Sequence, residues 1–296
     1  MGARRGITLT ELLATTAGMG FLLAALIPAA VSTKDAAHRA VCAANLSSLG
    51  KALACYAADY DGCLPDTGAA SALGGKVPAD GWHFPSRLDA PGSCAWPAVR
   101  SVGNQANLWL LVREGYAAPK QFICPATSDR PSLNSDSCRA VMGFLAMDPS
   151  TAQPVPAEKQ FLARVAAGRC SYSYQNQLAH PDTVFGDFEA GAPTTTLTVH
   201  PARLAVLADR NPYTRTRLVR QPVVSPADEP EANSLNHQGA GQNVLYLSGE
   251  VEWHDTPWCG AMRVDGRLDN IYQPDAGAPD DPLNVPRAPA DSFLAP

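Results

Sequence analysis

The sequence predicts an α+β protein. A long N-terminal helix, transmembrane in its first half, packs on a globular head with an antiparallel β-sheet and long loops. Three observations carry that prediction. No charged side chain occurs between Leu12 and Thr33. From Lys34 to Tyr60, apolar residues fall on one helical stripe. Farther on, short apolar and β-branched runs alternate with turn residues, and 23 Gly and 26 Pro in 296 residues favour loops over a helical bundle.

Composition bounds the rest. At 46% hydrophobic and 17% charged, the chain has enough apolar material for a real core in one sizeable domain or two small ones. A net charge of −5 without a basic stripe argues against nucleic acid as a partner. The eight cysteines (Cys42, Cys55, Cys63, Cys94, Cys124, Cys138, Cys170 and Cys259) include no C-x-x-C pair, so their spacing suggests no zinc. With the head outside the cytoplasm some of them are expected to pair as disulfides, in a connectivity the sequence does not choose.

The first element is the apolar run. Leu12–Thr33 spans about 33 Å as a helix, against about 30 Å of bilayer core. Arg4 and Arg5 precede it, which keeps the extreme N-terminus cytoplasmic and sends the remainder across. Glu11 at its head is the anomaly, because a carboxylate inside the membrane costs about 2.5–3.5 kcal/mol. An ordinary signal peptide cut behind Ala30-Val31-Ser32 does not explain Glu11, and neither does an uncut anchor. Gly6-Ile7-Thr8-Leu9-Thr10-Glu11 resembles the processing site of type IV prepilins and type II secretion pseudopilins. The resemblance implies cleavage by a prepilin peptidase between Gly6 and Ile7 and N-methylation of Ile7. It also implies that Glu11 neutralises the Ile7 amine of a neighbouring subunit. Opposite charges attract strongly in low dielectric, where either alone is expensive.

The helix is expected to continue. Cys42, Leu46, Leu49, Leu53, Tyr56 and Tyr60 recur at alternating steps of four and three, with the charges mostly elsewhere. Asp61-Gly62 and Pro65 supply the stop. One helix from Ile7 to about Tyr60 is the simplest reading, kinked or loosened at Pro28; two helices hinged near Ser32 are the alternative. The block Cys42, Asn45, Leu46, Leu49, Gly50 resembles the C-x-x-N-L-x-x-L-G element of a large-headed group of bacterial prepilin-like proteins. Asn45 is poor in a helix by propensity and reads as either a polar contact to the head or packing filler.

In the head, Cys63 to about Trp109 reads as loops, followed by a short helix around Asn107–Gly115 with Leu108, Leu111 and Val112 on one side. Phe122-Ile123-Cys124-Pro125 resembles the group's F-x-C-P element, and Ser171 to Asn176 its S-Y-x-Y-N strand. Leu197–His200, Leu204–Ala208 and Leu218–Val224 read as strands. Gln242–Trp253 reads as a hairpin turning on the two residues Ser248-Gly249. Upstream lie His237, Gly239, Gly241 and Asn243. With Gly249 they resemble the group's late motif, a His followed after nine residues by Asp-Gly. Here ten residues intervene and Ser248 replaces Asp, so no role of that carboxylate carries over. Asp275–Pro296, rich in Pro, Ala and Asp, is expected to be irregular.

Hidden chemistry has little support in the sequence. His237, Asp209 and a serine make a triad only on paper, since no G-x-S-x-G elbow fixes a nucleophile. His254 and Cys259 lack a second pair of metal ligands at suitable spacing. Asp265–Asn270 offers oxygen ligands but not EF-hand spacing. Calcium is the one cofactor weighed, because major pseudopilins hold it in C-terminal loops; no metal, no cofactor and no enzymatic activity are expected.

The expected organisation is a leader (1–6), the transmembrane half of the helix (7–33), its soluble half (34–62), a β-rich head (63–274) and an irregular tail (275–296). The resemblance implies a pilin-like subunit of a type II secretion pseudopilus or type IV pilus-like fibre. Its partners are prepilin peptidase, other pilin or pseudopilin subunits and the bacterial inner membrane. The topology is single-pass, with the N-terminus cytoplasmic and the head periplasmic or in an envelope-spanning fibre. The alternative is a membrane-tethered periplasmic binding or enzymatic domain on a pilin-like anchor that does not polymerise.

Overall fold

The computed structural model describes residues 8–60, 62–65, 83–84, 102–103, 105–131, 147–148, 153–154, 170–175, 201–213, 231–273 and 290–295. Within them the protein is α+β with an antiparallel sheet. The proposed cleavage site at Gly6 and Ile7 lies outside these residues, as do Cys94, Cys138 and the expected strands at 197–200 and 218–224.

Helix α1 runs unbroken over Leu9–Asp59, 51 residues, through position 28 and past the alternative hinge at Ser32. It starts on a capping box. The Thr8 hydroxyl accepts from Glu11 N–H at 3.3 Å, while the Glu11 carboxylate accepts from Thr8 N–H at 2.9 Å. This reciprocal arrangement satisfies two donors that a helix start otherwise leaves unpaired. The helix ends as the sequence suggests: Gly62 takes φ +81° and its N–H reaches back to Ala57 O at 2.7 Å.

The two halves of α1 differ in environment. Cys42, Leu46, Leu49, Leu53 and Tyr56 are buried in the head, but Tyr60, the last of the expected stripe, is exposed and stacks on Tyr56. In the first half Leu9, Leu12, Leu13, Met19, Phe21, Leu22, Leu23, Leu26 and Ile27 are all more than half exposed. Thr15, Thr16, Gly18 and Gly20 dilute the same stretch. Among the described residues no helix is long and apolar enough to cross a membrane.

The head begins with two short antiparallel pairs, β1 (His83–Phe84) with β2 (Val102–Gly103), and β3 (Met147–Asp148) with β4 (Gln153–Pro154). Between the two pairs lies helix α2 (Gln105–Arg113), buried on every side from Asn107 to Val112 rather than along one stripe. The main sheet comprises β5 (Tyr172–Gln175), β6 (Ala205–Asp209), β7 (Gln242–Tyr246), β8 (Val251–His254) and β11 (Leu294–Ala295). Its order is β11-β5-β6-β7-β8, antiparallel throughout. A separate hairpin pairs β9 (Trp258–Met262) with β10 (Leu268–Asn270).

Both faces of the sheet are covered, so its inner strands are buried end to end. On one face Tyr172, Tyr174, Leu207 and Leu245 pack with α1, α2, Phe122 and Cys124. On the other, Ala205, Ala208, Val244, Tyr246 and Leu294 pack with Cys259, Ile271 and Tyr272.

Two expectations need correction. The β7–β8 loop uses three residues, not two: Tyr246 and Glu250 close it, and Gly249 is its left-handed residue at φ +86°. That is the three-residue hairpin geometry, in which the glycine relieves the twist. The chain end, expected to be irregular, supplies the edge strand β11. Phe293 and Leu294 are two of the few large apolar residues of an otherwise Pro/Ala/Asp-rich segment, and both are buried. Their backbone is tied by Phe293 N–H to Gln175 Oε1 at 2.9 Å and Leu294 N–H to Ile271 O at 2.9 Å.

Candidate functional site

Four segments of the chain meet where α1 rests on the head. Cys42 comes from the helix, Cys124 from the loop after the short 3-10 turn Pro119–Phe122, and His237 from the 3-10 turn Leu235–His237. Asp209 is the last residue of the central strand β6. All four are buried, and one ligand-type atom from each lies within 4.8 Å of the others. Cys42 Sγ donates to Asp209 Oδ1 at 3.1 Å. His237 Nε2 stands 3.5 Å from Cys124 Sγ and 3.4 Å from Asp209 Oδ2.

A surrounding layer holds these groups. Asp209 accepts from Asn236 Nδ2 at 2.9 Å and from Asn243 N–H at 2.8 Å. Tyr172 Oη lies 3.3 Å from Cys42 Sγ. The His237 ring meets Trp253 edge-on, and the guanidinium of Arg39, one turn ahead of Cys42, lies over that indole 4.2 Å from the ring centroid.

Burial and contacts split the acidities of the two thiols. Burial first, then hydrogen bonding to Cys124, pushes Cys42 up, so it keeps its proton. Cys124 is lowered to about 6, chiefly by its contact with Cys42, with His237 adding to the effect. Burial pulls His237 down, but the contacts to Asp209 and Cys124 outweigh it and raise the imidazole to about 9. The result is a buried group of four side chains in mutual contact. It is not a catalytic relay. In a relay the nucleophile and the orienting carboxylate use opposite ring nitrogens, whereas here Cys124 and Asp209 both face Nε2.

The other sequence candidates fall around this centre. Asn45 donates to Ile123 O at 2.9 Å, which settles it as a polar contact to the head. Leu46 and Leu49 are core residues, and Gly50 lies where a Cβ would come within 2.9 Å of Leu245 Cδ1. Pro125 is exposed just behind Cys124. Asn243 belongs to the layer around Asp209, whereas Gly249 turns the β7–β8 hairpin and Glu11 sits at the far end of α1.

Candidates for other chemistry are otherwise engaged. His254 Nε2 bonds Tyr246 Oη at 2.7 Å and Glu252 Oε2 at 3.1 Å. In the loop weighed for calcium, Asp265 Oδ1 accepts from Arg267 N–H, and buried Asp269 accepts from Ser292 N–H at 2.6 Å. The six described cysteines carry free thiols, and the other two, Cys94 and Cys138, lie outside the described residues. Asp209 is the member that spacing did not single out as a partner of the cysteines. Its only signal was a carboxylate ending the apolar run Leu204–Ala208.

Compared with family models, with curated proteins and with solved structures, the chain has no match.

Proposed function

We propose that the chain is a pilin-like structural subunit of a type II secretion pseudopilus or type IV pilus-like fibre. A prepilin peptidase cuts it between Gly6 and Ile7, and α1 then packs against neighbouring subunits after residence in the inner membrane. The observation that carries this reading is the asymmetry of α1. Its second half is buried in the head, while its first half leaves nine large apolar side chains more than half exposed. An apolar surface of that extent marks a membrane or protein contact. The polar residues within it suit such a contact. Thr15 and Thr16 bond back to the carbonyls of Glu11, Leu12 and Leu13 at 2.9–3.1 Å. Their hydroxyls are therefore satisfied inside the helix, as an apolar surrounding demands.

Glu11 is the exception, with its carboxylate turned onto Thr8. In the assembled fibre it meets the methylated amine of Ile7 on a neighbour.

Two measurements test this. Mass spectrometry of the envelope-derived protein should find a chain starting at N-methylated Ile7; a start near Thr33 means a discarded signal peptide and ends the proposal. Glu11→Gln keeps a capping-box side chain but removes the charge. It should leave the protein in the membrane and abolish fibre assembly, whereas a merely tethered domain works unchanged.

A further inference from the structure

We infer that Cys42, Cys124, Asp209 and His237 form a structural zinc site that fastens the long helix to the head. The donor set comes first. Two thiolates, one imidazole and one carboxylate are ligand types that zinc takes in tetrahedral sites.

Geometry comes second. Zinc–sulfur bonds of about 2.3 Å and zinc–nitrogen or zinc–oxygen bonds of about 2.0–2.2 Å put tetrahedral ligands about 3.3–3.8 Å apart. The edges here are 3.1 Å for Cys42 Sγ to Asp209 Oδ1, 3.4 Å for Asp209 Oδ2 to His237 Nε2 and 3.5 Å for Cys124 Sγ to His237 Nε2. These three edges stand close to coordination spacing, and all four donors lie within 4.8 Å of one another, so a zinc ion would draw in groups that already face a common centre.

Charge comes third. Asp209 is fully buried, and among the described residues no lysine or arginine pairs with it; Arg210, next in the chain, pairs with Asp129 instead. A dication that displaces the thiol protons offsets two of the three negative charges that the two thiolates and the carboxylate then carry.

The outer layer fits as well. Asn236 and Asn243 hold the Asp209 carboxylate from behind, as outer-shell donors do at metal centres. All four positions are protein ligands and all are buried, so no coordination site opens to a substrate. A closed site of this kind is structural rather than catalytic. What it joins is specific: the stem (Cys42), the loop behind α2 (Cys124), the central strand (Asp209) and the turn entering β7 (His237). The inference stands apart from the fibre reading, since an unprocessed or merely tethered chain carries the same four residues.

The test uses the full chain, purified in detergent without a metal-affinity step. Elemental analysis should find one zinc per chain. Chelation should lower the melting temperature and added zinc should restore it. Cobalt(II) bound in its place should show the strong ligand-field bands of tetrahedral coordination with thiolate charge transfer.

Cys124→Ser should reduce the zinc content about tenfold or more, while Cys55→Ser, at an exposed cysteine of α1, should leave it at one per chain. His237→Cys, which keeps four ligands, should retain the metal and strengthen the thiolate charge-transfer band; a residue with only a packing role would not move that band. Because the native chain alone gives the cobalt spectrum, a variant that fails to fold does not decide the matter. Two results overturn the inference: native protein without stoichiometric metal and with no spectral response to cobalt, or a Cys42–Cys124 disulfide peptide under non-reducing digestion.

Discussion

Gly241 shows how narrow the tolerance is at a single residue. Its φ is +148°, and a Cβ there would come within 2.3 Å of His254 O and 2.7 Å of the Trp253 ring. Neither the backbone nor the packed indole can withdraw, so Gly241→Ala should cost about 2 kcal/mol or more in a denaturant melt of the head. Gly50→Ala should cost less, about 1 kcal/mol, because its nearest obstacle is the movable end of Leu245. An equal loss for the two variants would mean that the close approach at Gly241 is not rigid. At the sheet edge, Arg203 Nη2 meets Glu252 Oε2 at 2.8 Å and holds that carboxyl below its usual value. A lowered carboxyl contributes stability above its unfolded pKa and loses it as the pH falls through the folded value. The partly exposed pair therefore supports the fold above about pH 4.5 by less than about 1 kcal/mol. Glu252→Gln should melt lower than the parent at neutral pH and converge with it near pH 3.

Among the elements, the edge strand β11 carries the sharpest expectation. Phe293 and Leu294 are buried although the chain around them is poor in apolar residues. Phe293→Ala should destabilise the head by about 3–5 kcal/mol, the usual cost of emptying a buried aromatic position. A loss below about 1 kcal/mol would mean that the strand is not held there in solution. The same strand shows what local pattern cannot convey. Two apolar residues in a Pro/Ala/Asp context look like tail, because their partners Gln175 and Ile271 lie far off in sequence. The hairpin at β7–β8 was legible because turn and strands are neighbours. Its loop length was not, since a single left-handed glycine fits either a two-residue or a three-residue turn.

At the scale of the whole molecule, legibility follows sequence distance. The second half of α1 could be read down to the residue, apart from Tyr60, because helical periodicity is a local property. The three resembled blocks were visible separately, at Cys42, Cys124 and His237, yet nothing in their spacing said that they meet. Bringing them together takes the sheet order β5-β6-β7, which sets Asp209 beside the turn that carries His237. Compartment led to the expectation that some of the eight cysteines pair, whereas the placement of Cys42 and Cys124 around a carboxylate and an imidazole is a matter of fold.

The unbroken course of α1 also has a mechanical consequence. At about 1.5 Å per residue it is a rod about 76 Å long, gripped by the head only over its second half. A pull along its free end does not peel the head away one residue at a time. It loads the stripe from Cys42 to Ala57 in shear, so that every contact along the stripe must slip together before the rod can leave.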